Sequence, residues 1–172
     1  SETTIFVSEL GSELVTTLSF STNNFQTIAA GNVDADSNVE LIMNTGLVYD
    51  LTTGANEWFF GSGFGSSFVT VGDLNGNGID EIIGAGAWDA LYVYSAVDKS
   101  QLASLPLDDT CDMHAYNIYD DVTDEIVVSD CQWGNVTAYS LNGSNQLDTV
   151  WQVGLQDHGS SSLTMGDIDN DG

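Results

Sequence analysis

The sequence predicts an all-β protein made of four-stranded antiparallel units, and three observations carry that expectation. Apolar and polar residues alternate with period two in segment after segment, while no sustained helical period appears. A single proline and 18 glycines suit short strands joined by tight turns. A unit of about 40–50 residues repeats along the chain, the length scale of stacked four-stranded modules.

The repeat is anchored by residues 27–42, 70–83, 115–127 and 163–172, which align on Gly31, Gly72, Tyr116 and Gly166, spaced 41, 44 and 50 residues apart. That spacing suits the blades of a β-propeller. The second halves repeat as well. Segments 91–95 and 136–140 follow Trp88 and Trp133, enter turns at Asp98-Lys99 and Asn142-Gly143, and lead to last strands over 102–107 and 147–153. In the first unit, 47–50, a Thr53-Gly54 turn and 58–60 do the same. Segments 5–7 and 14–20 read as an orphaned final pair of strands. The expected division is 1–24 (end of a preceding blade), 25–65, 66–109 and 110–156 (three whole blades), and 157–172 (start of another). A segment of a larger propeller is favoured over a four-bladed ring closed between the two ends, which would lack one strand.

Composition narrows the partners. Twenty-six acids face one Lys or Arg, Lys99, for a formal charge of −25. Such a surface cannot neutralise phosphates, which argues against nucleic acid and anionic membrane. No apolar run reaches the ~18 residues of a membrane span, and no secretory signal pattern opens the chain, so a processed or excised segment is expected. The carboxylates are then either a solvated coat or ligands for hard cations.

The loops between the first two strands of each unit favour ligands. In the second, Asp73, Asn75, Asn77 and Glu81 place side-chain oxygens at positions 1, 3, 5 and 9, with the carbonyl of Ile79 at position 7. Alternate spacing in a tight loop turns these groups toward one point, and Gly76 and Gly78 suit the positive-φ conformations it needs. Hard oxygens in a flexible ring are what calcium prefers; magnesium wants fewer protein oxygens and a stricter octahedron. The first loop has the same frame in Asn32, Asp34, Asp36, the carbonyl of Asn38, and Glu40. The last supplies Asp167, Asp169 and Asp171. In the third, Tyr119 stands at position 3, so that loop is expected to be metal-free, with Asn117, Asp121 and Glu125 as remnants.

These loops, with their flanking Gly72-Asp73-Leu74, Gly166-Asp167-Ile168 and Glu81-Ile82-Ile83, resemble the metal loop of FG-GAP and VCBS repeats, the blades of integrin-α-like propellers. The resemblance implies loops joining the first and second strands on one propeller face, each holding Ca2+ structurally. It also implies adhesion, whereas fold alone does not fix function.

Cys111 and Cys131 lie ten residues either side of Asp121. On an unbulged hairpin they would face one another, so a disulfide is expected, and with it an oxidising compartment. His114 falls on a first strand and reads as a hydrogen-bonded interior residue; His158 reads as exposed. Trp88 and Trp133 occupy equivalent positions, which suggests packing between blades; rim aromatics that stack on sugars are the alternative. Asn135 and Asn142 begin glycosylation sequons at about the frequency chance predicts, both beside turns.

The expected function is an extracellular or cell-surface calcium-binding propeller segment for adhesion, ligand binding or filament assembly. Its partner would be a protein, a glycan or copies of itself. The alternative is the propeller part of a secreted enzyme acting on polysaccharide or lipid.

Overall fold

The computed structural model describes residues 2–10, 14–23, 25–132, 134–154 and 159–166. Asp167, Asp169, Asp171, Trp133 and His158 lie outside the described residues. Among the described residues every regular element is a strand. β1 (Glu2–Leu10) and β2 (Leu14–Asn23) form a two-stranded sheet. Three four-stranded antiparallel sheets follow in sequence order. Sheet I contains β3 (Ile28–Gly31), β4 (Glu40–Met43), β5 (Leu47–Asp50) and β6 (Asn56–Phe59). Sheet II contains β7 (Phe68–Gly72), β8 (Glu81–Ala85), β9 (Ala90–Ser95) and β10 (Ser100–Pro106). Sheet III contains β11 (Asp112–Tyr116), β12 (Glu125–Ser129), β13 (Asn135–Leu141) and β14 (Leu147–Gly154).

The second strands β4, β8 and β12 are buried at every position, so they read as apolar runs rather than alternating patterns. In β8 and β12 one face contributes to the core on one side and the other face to the core on the other. Ile42, Val48 and Phe64 of the first unit pack against Val69, Ile82 and Tyr94 of the second. Ile83, Leu91 and Val93 then pack against Met113, Ile126, Val128 and Tyr139 of the third. Phe64 is fully buried, and its ring meets Trp58, Phe60 and Tyr94 at centroid distances of 5.1, 5.8 and 5.3 Å. Leu163 and Met165 cover Val127, Val136 and Ala138 on the far face of sheet III. Residues 159–166 form no regular element.

The three hairpins share one register: Gly31 opposes Glu40, Gly72 opposes Glu81, and Tyr116 opposes Glu125. A second shared irregularity lies in the outer strand. β6, β10 and β14 each carry one extra residue against the third strand, namely Glu57, Leu102 and Val150. β2 has the same feature at Thr17 against β1, which makes this pair equivalent in form to the third and fourth strands of the other sheets. A bulge bends its strand and re-aims the extra side chain.

Consecutive sheets are also clasped through their loops. Asp80 N–H donates to the Asn32 carbonyl at 2.8 Å while Asn32 N–H donates to Asp80 Oδ2 at 3.1 Å. Asp124 and Asp73 repeat the exchange at 2.8 and 3.0 Å. The glycine before each clasp is required by space. A Cβ on Gly31 would lie 2.3 Å from Asp80 Oδ2, and one on Gly72 would lie 2.9 Å from Asp124 Oδ2.

Candidate metal centre

In all three hairpin loops the glutamate at position 9 folds back over the loop. Glu40, Glu81 and Glu125 each accept a hydrogen bond through Oε2 from the backbone N–H of Val33, Leu74 and Ile118, at 3.0 Å in every case. Burial pushes Glu40 and Glu81 up to about 7, with neighbouring carboxylates adding to the effect and the backbone hydrogen bond opposing it. The loops differ in what the remaining oxygens do.

Loop one, residues 32–39, is organised by its own side chains: Asp34 Oδ1 accepts from Asp36 N–H at 2.8 Å and Asp36 Oδ1 from Asn38 N–H at 2.7 Å. Two of its buried oxygens, Asn32 Oδ1 and Glu40 Oε1, have no hydrogen-bond partner. A buried acceptor without a donor costs about 1–3 kcal/mol, more when charged. These two atoms belong to positions 1 and 9, the ends of the expected ligand set. The carboxylates of Asp34 and Asp36 are joined by Glu57, the bulge residue of β6, with ligand oxygens all within 4.8 Å of one another. Oxygens 2.3–2.6 Å from a common calcium ion stand at most about 5 Å apart, so this acidic triad could hold a metal ion. Burial, and then the charges of Asp34, Asp50 and Asp36, raise the Glu57 carboxyl, while Lys99 lowers it. Lys99 Nζ also donates to the Glu57 carbonyl at 3.2 Å, pinning the bulge from sheet II.

Loop two is satisfied internally. Asp73 accepts from the N–H groups of Gly76, Asn77 and Gly78 at 2.8, 3.1 and 2.7 Å. Asn75 Nδ2 donates to Glu81 Oε1, and Asn77 Oδ1 accepts from Ile79 N–H. Gly76 and Gly78 take φ of 73° and 83°, as the sequence requires. Of its three acids, Asp73, Asp80 and Glu81, Asp80 is turned to the Asn32 N–H, and no acidic triad gathers there among the described residues; the bulge residue beside this loop is Leu102, which lines the same depression as Asn75, Asn77, Ile79, Asp80 and Glu81. In loop three, Asn117 and Asp121 bond to each other, Asp121 Oδ1 accepts from Thr123, and Tyr119 is 52% exposed. The described loops therefore form a series in which only the first leaves buried oxygens unused.

Glu57 was not among the expected ligands. Its signal is an acid directly ahead of Trp58 and Phe59 in a strand, but its aim depends on a bulge that only strand pairing reveals.

The disulfide forms between Cys111 and Cys131, with Cα atoms 5.2 Å apart. The ladder reason for expecting it is off by one, since Asp112 opposes Ser129 and the bond closes beyond the last paired residues. Asp109 Oδ2 braces that end by accepting from Cys131 and Gln132 N–H at 3.1 and 2.9 Å. Trp88 does not pack between sheets: it is 69% exposed, because it lies in the turn between β8 and β9 where no strand crosses it. His114 is not an interior residue either, its side chain being 43% exposed, with Nε2 3.6 Å from Asp112 Oδ2.

Asn135 is the first residue of β13, beside the turn that precedes it; its Nδ2 donates to Asp130 Oδ2 at 2.8 Å, and Thr137 is buried. Asn142 does sit on a turn, with Nδ2 donating to Asp148 at 2.9 Å. Among the described residues no helix is long and apolar enough to cross a membrane. The chain matches no family model, no curated protein and no solved structure.

Proposed function

We propose that the chain is an extracellular, calcium-loaded segment of a β-propeller of the FG-GAP/VCBS kind, acting through binding or adhesion rather than catalysis. The observation that carries this reading is the pair of buried, unpartnered oxygens, Asn32 Oδ1 and Glu40 Oε1, at the two ends of the loop that also holds Asp34 and Asp36. A divalent cation would satisfy both and offset the repulsion among the acids. The common hairpin register, the face-to-face cores and the clasped loops support blades in sequence. The disulfide is compatible with an oxidising compartment. With a charge of −25, the partner is a protein, a glycan or another copy of the chain, not nucleic acid.

The test is thermal unfolding in calcium, in magnesium and in chelator. A cation that binds only the folded state stabilises by about 2.7 kcal/mol at 100 times its Kd, so calcium should raise the midpoint by at least 5 °C or so. Equal midpoints in the three buffers contradict the reading.

A second reading, the propeller part of a polysaccharide-active enzyme, has one feature in its favour. A cleft of about 390 Å³ between β10 and sheet III is lined by Asp108, Asp109 and Asp130 with Asn135, Thr137 and Gln152. Asp109 and Asp130 are both engaged in hydrogen bonds there, which suits a braced wall better than a reacting pair. Turnover of a polysaccharide would favour this second reading, and its loss in Asp108→Asn would place it in this cleft; no turnover would remove the reading.

A further inference from the structure

Resting on the calcium reading above, we infer that Glu57 is an additional protein ligand of the loop-one cation, and that the bulge residue of the outer strand decides which loop binds tightly. Every four-stranded sheet has its bulge at the same place, and the residue there is Glu57, Leu102 or Val150. In sheet I that residue is an acid whose carboxylate closes a triad with Asp34 and Asp36 inside 4.8 Å. In sheet II the equivalent Leu102 borders the loop-two depression and brings no oxygen to it.

Two independent features point to a ligand rather than a chance cluster of acids. Glu40 has no exposed surface and its Oε1 has no partner, and the buried Asn32 Oδ1 of the same loop has none either. Loop one thus brings Asp34 and Asp36 together with Glu57 and carries the unpartnered oxygens of Asn32 and Glu40 at its two ends. In loop two no triad of acids forms among the described residues: Asp80 is turned to the Asn32 N–H, and Asp73, Asn75, Asn77 and Glu81 are bonded within the loop. Affinity of oxygen sites for calcium rises with the charge count of the ligands. Glu57 also ties the loop between β3 and β4 to the outer strand of the same sheet, so the ion would cross-link the two edges of sheet I. Lys99, donating to the Glu57 carbonyl, holds the bulge in place without occupying its carboxylate.

Calcium titration by isothermal calorimetry tests this, using the whole chain stripped with chelator. Wild type should show one tight and one weaker class of site. Glu57→Gln should weaken the tight class by at least about tenfold and leave the weaker class unchanged. Asp73→Asn should do the converse. Leu102→Glu, which installs the missing acid at loop two, should tighten the weaker class. The melting point of each variant in chelator confirms that it is folded. A tight class unaltered by Glu57→Gln overturns the inference while leaving the calcium reading intact. No calcium binding by the wild-type chain overturns both.

Discussion

Replacing Gly31 with alanine tests whether the loop clasp between sheets I and II contributes to stability. The added Cβ would sit 2.3 Å from Asp80 Oδ2 and 2.5 Å from Val71 Cγ2, distances real Cβ atoms do not show, so Asp80 must move. Moving it breaks the 3.1 Å bond from Asn32 N–H. A hydrogen bond to a charged group is worth about 2 kcal/mol, and overpacking adds about 2 kcal/mol more. Reduced freedom of the unfolded chain returns about 0.7 kcal/mol. The net loss is about 3 kcal/mol, or a fall of some 6–12 °C in Tm for a chain of this size. The assay is a double-mutant cycle with Asp80→Ala, read by urea unfolding in chelator so that metal occupancy does not vary. Once the carboxylate is gone, Gly31→Ala should cost only the Val71 contact, giving a coupling of about 2 kcal/mol, the hydrogen-bond share. Additivity to within about 0.5 kcal/mol would refute the clasp.

Other outcomes follow from the same structure. Reducing the Cys111–Cys131 bond should cost about 3 kcal/mol by loop-closure entropy, seen as a lower Tm in reductant that a Cys111→Ser/Cys131→Ser variant reproduces without it. Phe64→Ala should destabilise by about 3–5 kcal/mol, since the ring is wholly buried between sheets I and II, and a denaturant melt would measure it. In chelator, Glu40 and Glu81 hold protons in the folded chain up to about 7 that the unfolded chain releases near 4.5. Their contribution is therefore present at low pH and lost as pH rises through about 7. Calcium needs both carboxylates ionised, so the gap between melts with and without calcium should widen from pH ~5.5 to ~8.

The strands and their order were legible because the signals are local. Alternation, the Asp98-Lys99 and Asn142-Gly143 turns and the Gly76/Gly78 pair each act within a few residues. The positive φ of Gly76 and Gly78 was equally readable. What could not be read depends on pairing between distant residues. The role of Asp80 had no local signal, because its partner Asn32 is 48 positions away. Glu57 was hidden by a bulge whose existence depends on how β5 and β6 align. Trp88 shared a sequence position with Trp133, but equivalence in sequence does not say whether a turn is covered, and the Trp88 turn is not.

The central claim is that a divalent cation occupies the first hairpin loop. A crystal grown in millimolar calcium, read by its anomalous difference map, addresses it most directly. The account predicts a peak within 2.3–2.6 Å of oxygens from Asn32, Asp34, Asp36 and Glu40, and no peak in the loop bearing Tyr119. A first loop without a peak, its aspartates turned to bulk water, would contradict it.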